Sequence, residues 1–116
     1  MDISWSMESN QRNSSIATVL IHGFGGCKEH WRHNQHILAS VSCCYAIDLI
    51  GFGASSQPRS RLNNEGNYNN GFEYCFEAWA QQISEFCLSI VKKPVLLIGN
   101  SIGGVIALRA SQILKE

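Results

Sequence analysis

Neither sign of charge dominates this chain of 116 residues: nine lysines and arginines balance nine aspartates and glutamates. That balance removes the field that would steer nucleic acid or an anionic membrane to the surface. Neither is expected as a partner. No charge run, internal repeat or apolar stretch of membrane-spanning length occurs. The N-terminus is polar and carries neither a secretory signal nor an Arg-rich transit pattern. No Gly-Lys-Ser/Thr is present, which excludes a P-loop. The cysteines at 27, 43, 44, 75 and 87 are odd in number and lack metal-ligand spacing. They read as small buried hydrophobes in a reducing cytosol, with Cys43 and Cys44 pointing to opposite faces of one strand. No metal and no cofactor is expected. At this length the chain is one domain at most, long enough to bury a core.

Against these absences one motif stands out. Gly99-Asn100-Ser101-Ile102-Gly103-Gly104 follows the apolar run Pro94–Ile98 and precedes a helical pattern. The unbroken run predicts a parallel strand buried on both faces. Ile102, Val105, Ile106 and Ile113 are expected on one face of the helix, with Ala107 and Ala110 supporting it. A Gly-x-Ser-x-Gly turn between strand and helix is a nucleophile elbow. The tight turn strains the serine and crowds the positions two before and two after it, where Gly99 and Gly103 carry no Cβ. The helix N-terminus then directs backbone N–H groups at the serine, and Ile102 N–H is the first candidate oxyanion donor.

A second loop must bring the other donor. The strand-like run Ile16–Ile21 leads into His22-Gly23-Phe24-Gly25-Gly26. A glycine-rich turn lets its backbone approach a reacting carbonyl, and Phe24 N–H is the candidate donor. His22 is expected to brace this loop by hydrogen bonding rather than to act as a base. An alternative treats the turn as dinucleotide-binding, with Gly23-x-Gly25 and, farther on, Asp48 as the ribose acid. That match is partial, because Lys28 stands where close helix–sheet packing needs glycine or alanine.

The remaining segments alternate strand and helix. Ile3–Met7 reads as an antiparallel edge strand, Asn10–Ser15 as a turn, Glu29–Ala39 as a helix with Trp31, Leu38 and Gln35 on one side, and Cys43–Ile47 as a buried strand. Residues 54–71, rich in Ser and Asn, form a long loop read as mobile, in which Arg59 and Arg61 alone suggest a ligand. Asn70-x-x-Glu73 is a candidate cap for the next helix. There Phe72, Phe76, Trp79, Ile83, Phe86 and Ile90 step by four and three as a core stripe. This order predicts an α/β fold, a mostly parallel sheet with an antiparallel edge and helices on both faces.

The segments His22–Gly26, His30-Trp31-Arg32-x-Asn34, Tyr45–Gly53 with Ser55, Phe76-Glu77-x-Trp79-x-Gln81-Gln82, Phe86-Cys87 and Gly99–Gly104 together resemble α/β-hydrolase fold proteins, most of all the branch found in cyanobacteria and plastids. The resemblance implies Ser101 as nucleophile, Phe24 and Ile102 as oxyanion donors, and a structural loop at Asp48-x-x-Gly51-x-Gly53-x-Ser55, so that Asp48 is not the triad acid. Members of that family place the acid and histidine after the serine and run to roughly twice this length or more. Residues 102–116 contain no His and no Asp. The resemblance therefore implies the N-terminal half of a serine esterase-like domain, ending after the elbow helix: a fragment, a truncated frame or one part of a split protein. Alone it is expected to be inactive. Complemented, it would act on a small ester-like substrate. The alternative is a non-catalytic half that self-associates or binds a C-terminal hydrolase half, because the strand 94–98 would be left as an apolar edge.

Overall fold

Four strands build one mixed sheet in the order β1-β3-β2-β4. The structure, a computed structural model, describes residues 1–10, 15–60 and 71–116. The strands are β1 (Trp5–Glu8), β2 (Ala17–Ile21), β3 (Cys43–Ile47) and β4 (Val95–Gly99). β1 pairs antiparallel with β3, and β2 pairs parallel with both β3 and β4. The antiparallel edge and parallel centre are those expected. Of the turn expected at 10–15, residues 11–14 lie outside the described residues.

Every residue of β2 and β3 is buried. Their side chains divide by alternation. Ala17, Val19, Ile21, Cys43, Tyr45 and Ile47 join the larger core, while Leu20, Cys44 and Ala46 join a smaller one on the opposite face. Cys43 and Cys44 thus do face opposite ways. The smaller core is closed by Trp31, Leu38 and Ala39. The helix expected over 29–39 is split into a 3₁₀ turn (Lys28–Trp31) and α1 (Arg32–Leu38). Gln35 is its buried polar member, donating to the Cys44 carbonyl at 3.0 Å.

The larger core is closed by α2 (Phe76–Phe86) and α3 (Ile102–Lys115). α2 does not begin at an Asn70–Glu73 cap. Its N-cap is Cys75, which makes no side-chain cap bond, and residues 71–75 are not helical. Phe72 N–H bonds the Arg59 carbonyl instead, and Tyr74 donates to the Pro58 carbonyl. Those tertiary bonds hold the segment extended. Asn70, Arg61 and most of the loop read as mobile lie outside the described residues.

The expected stripe on α2 is partly rearranged. Trp79, Ile83 and Phe86 are buried, whereas Phe76 and Ile90 are exposed. Cys87–Val91 widen into a π turn, closed by Lys92 N–H to the Cys87 carbonyl at 2.8 Å. The wider turn rotates the face, so Cys87 and Val91 take the buried positions instead of Ile90. On α3 the buried residues are Gly103, Ile106, Ala107 and Ala110, while Val105 is exposed. Small residues bring α3 close to its neighbours, and Val105 sits about 100° round from Ile106, off that face.

β4 is the apolar edge expected of strand 94–98, but it is not buried on both faces as its unbroken run predicts. It is only partly buried, and Leu96 is 54% exposed. The strand pairs with β2 alone among the described residues, so one edge and part of each face lack cover. A groove of about 860 Å³ runs along it, lined by Leu88, Leu96, Leu97, Ala107, Leu108 and Leu114 among others.

Candidate functional site: two turns at the ends of parallel strands

β2 and β4 run side by side, and Ile21 is in register with Gly99. Both chains therefore leave the sheet at the same level. After Gly99 the backbone turns into α3 within two residues, and Ser101 takes φ 59° and ψ −123°. This is a conformation that non-glycine residues rarely hold, at a cost of roughly 1–3 kcal/mol. Asn100 N–H bonds the Ile21 carbonyl at 3.1 Å, tying the turn to the end of β2. Ser101 is exposed, and its hydroxyl does not cap α3 as an N-cap serine ordinarily would.

The flanking glycines are required by contact. A Cβ on Gly99 would overlap the Gly103 carbonyl, and one on Gly103 would overlap the Ile21 carbonyl. These obstacles are backbone and cannot swing aside. The turn after β2 lies directly against the elbow. A Cβ on Gly23 would stand 3.1 Å from both Ser101 Cβ and the Asn100 carbonyl. Gly25 adopts φ 77°, with Gly26 N–H closing the turn on the Gly23 carbonyl at 3.0 Å. Gly103 and Gly104 N–H return to the Asn100 and Ser101 carbonyls, whereas Phe24 and Ile102 N–H make no such turn bond. Residues 22–26 and 99–104 are thus brought together. The Phe24 ring is 76% exposed and meets Phe52 edge-on at 5.5 Å.

His22 is fully buried beneath this turn. Its Nδ1 donates to the Gly23 carbonyl at 2.7 Å, and its Nε2 accepts Leu49 N–H at 3.0 Å. That pattern fixes the neutral tautomer with the proton on Nδ1. Burial lowers the pKa of His22, outweighing the Gly23 carbonyl and the Asp48 charge, which raise it. Both ring nitrogens are occupied, so His22 has no free lone pair for a serine. Among the other histidines, His36 sits 3.6 Å from Glu8, beside the opposite end of the parallel strands.

Asp48 has a similar bracing position. Its side chain is fully buried and accepts Lys28 N–H at 2.6 Å, Ala54 N–H at 2.9 Å and Lys28 Nζ at 3.2 Å. Burial pushes its carboxyl upward, but the N–H groups of Ala54 and Lys28 and the Lys28 ammonium outweigh this and leave it below the usual range. A carboxylate so enclosed is not available to a ribose, which removes the dinucleotide alternative's acid. Gln82, which the spacing of residues did not assign, and the ring N–H of Trp79, which spacing placed only in the core stripe, complete the frame. Gln82 bonds Ile50 N–H at 2.9 Å and the Asp48 carbonyl at 3.1 Å, and Trp79 Nε1 bonds the Ile50 carbonyl at 2.9 Å. The available signal was a polar residue, Gln82, three positions after Trp79 on the buried face of α2. No group of three His, Cys, Asp or Glu side chains among the described residues could hold a metal ion. No helix among them is long and apolar enough to cross a membrane.

The family model described as alpha/beta hydrolase fold matches residues 17–116. Over 104 residues the chain is 33% identical to 1-acylglycerol-3-phosphate O-acyltransferase ABHD5 of Sus scrofa, covering 89% of this chain and 28% of that protein. It is 30% identical over 99 residues to a human (lyso)-N-acylphosphatidylethanolamine lipase, covering 85% and 27%. A bacterial membrane phospholipase A of known structure superposes with a TM-score of 0.77 at 29% identity, with 94% of this chain and 31% of that chain aligned. The chain spans little more than a quarter of the length of these curated relatives. None of these three matches bears on the cyanobacterial and plastid branch.

Proposed function

This chain belongs to the alpha/beta hydrolase fold family, and from that premise we propose that it supplies the nucleophile and oxyanion loop of a serine hydrolase acting on acyl esters. The observation that carries this reading is Ser101 itself, exposed, held at φ 59° and in contact range of the Gly23 turn. In the proposed reaction Ser101 Oγ attacks the ester carbonyl. Phe24 and Ile102 N–H stabilise the negative oxygen that forms. The alcohol leaves with a proton, an acyl-serine remains, and water releases the acid. His22, Gly23, Gly25, Gly99 and Gly103 shape the two turns without taking part chemically.

The base and acid are proposed to come from residues beyond the set described. His22 is committed to the loop, and Asp48 to Lys28 and Ala54. The relatives named as an acyltransferase and a phospholipid-directed lipase support an acylated glycerophospholipid as substrate class. Five free cysteines, three of them buried, support a reducing, cytosolic setting. The test is hydrolysis of p-nitrophenyl butyrate and of a lysophospholipid by the protein isolated from its natural source, beside a Ser101→Ala form. Saturable turnover lost in that form is expected. Turnover unchanged by Ser101→Ala contradicts the reading.

A second reading is favoured by the uncovered β4 edge and its groove. Here the 116 residues are an interaction half whose occupant is a C-terminal hydrolase half or a second copy. Parallel strands with free edges recruit further strands. Leu96→Lys on that edge is then expected to suppress concentration-dependent association of the 116-residue chain in light scattering. A monomer at every concentration before the substitution, with a sharp cooperative melt on its own, contradicts this reading.

A further inference from the structure

Cys43 opens β3 at the end of the sheet opposite Ser101, and its thiol is where three segments meet. Lys93, in the turn before β4, directs its Nζ to Cys43 Sγ at 3.1 Å. Ser9, just after β1, stands with its Oγ 3.6 Å from the same sulfur. The lysine reaches across the first residue of β2, since Ala17 pairs with both Cys43 and Val95. Cys43 is thus one member of a nucleophile, ammonium and hydroxyl cluster that the serine site does not use.

We propose that Cys43 and Lys93 form a peroxide-reactive thiolate–ammonium pair, a modification site separate from Ser101. The Cys43 sulfur attacks one oxygen of hydrogen peroxide and the O–O bond breaks. The sulfur is oxidised to the sulfenic acid, and the departing hydroxide takes a proton from the Lys93 ammonium and leaves as water. The ammonium serves twice, favouring the thiolate beforehand and protonating the leaving group. The Ser9 hydroxyl and then Lys93 hold the Cys43 thiol below its ordinary pKa, against burial. Among the described residues no carboxylate enters this balance. The chain provides its own controls. Burial pushes Cys44, on the other face of the same strand, up to about 11, and Cys87 likewise. Cys43 itself is 7% exposed, and the two groups over its sulfur are half-buried, which favours a small oxidant over a bulky one.

The test is hydrogen peroxide treatment of the full 116-residue chain, trapping with dimedone and peptide mass spectrometry. Cys43 is expected to gain the dimedone adduct at least about tenfold faster than Cys44 or Cys87. Lys93→Met is expected to slow it about tenfold at neutral pH and move its pH–rate midpoint upward, with Lys93→Arg restoring both. A Cys43 rate no higher than that of Cys44 overturns the proposal without recourse to any variant. So does a Lys93→Met chain, folded by its melting curve, with an unchanged rate and pH profile.

Discussion

His22 and Ser101 follow adjacent parallel strands at the same level of the sheet, and they are treated in opposite ways. His22 is fully buried, with both ring nitrogens bonded and its backbone followed by the Gly23–Gly26 turn. Ser101 is exposed, its hydroxyl makes no capping bond, and its backbone is strained. The difference shows where this fold spends its hydrogen bonds. They fix the loop beside the serine, through His22, Asp48 and Gln82, and leave the serine oxygen free. A histidine and a serine in one site suggest a base and a nucleophile, yet the bonding pattern makes one a brace and leaves the other exposed with no capping bond.

The comparison can be broken most severely at Gly103. Gly103→Val drives a side chain into the Ile21 carbonyl and is expected to cost at least about 3 kcal/mol in chemical denaturation, since the obstacle is backbone. A cost under about 1 kcal/mol would show that the two turns are farther apart than described.

Next is His22→Ala, which leaves Leu49 N–H without its partner and the Gly23 carbonyl with only Gly26 N–H, in a buried site. About 2–4 kcal/mol of stability is expected to be lost, while Ser101→Ala should stay within about 0.5 kcal/mol. Equal costs for the two would erase the distinction between brace and free side chain.

Ser101→Gly sharpens the contrast from the other side. It relieves the positive φ and is expected to stabilise the chain by about 1 kcal/mol relative to Ser101→Ala. No gain would mean that the turn is not strained.

The smallest effect is on pH. His22 has a folded pKa below its unfolded value, so the unfolded chain binds its proton first on acidification. Its stabilising contribution is complete above about pH 6.5 and falls as pH drops toward the folded pKa. Asp48, also lowered, contributes fully above about pH 4 and loses that contribution only at more acid pH. Thermal melting between pH 7 and 5 should therefore decline in the parent chain and flatten in His22→Asn.

Much of this was legible in the residues. The apolar runs at 17–21 and 43–47, the small-residue turn around Ser101 and the Gly23–Gly26 loop each declare their conformation locally. Their order alone gives an α/β sheet. Other features depend on distant partners and leave little local trace. Ile90 fits a helical stripe, but the π turn at 87–91 moves it to solvent. Leu96 reads as core, yet burial of β4 requires a neighbour on its second edge. Asn70-x-x-Glu73 has cap spacing, but Phe72 and Tyr74 are held extended by Arg59 and Pro58. The Lys28–Asp48–Ala54 and Gln82–Ile50 bonds join segments far apart in sequence, so neither periodicity nor spacing announces them.

The central claim is that Ser101 is the reacting oxygen of the site. Fluorophosphonate labelling followed by peptide mass spectrometry addresses it directly. In the protein isolated from its natural source, the adduct should fall on the Ser101 peptide and vanish with Ser101→Ala. In the 116 residues alone, where the described histidine nearest the loop is fully bonded, labelling should be slow. An adduct on a different residue of the source protein, with Ser101 unmodified, would contradict the account.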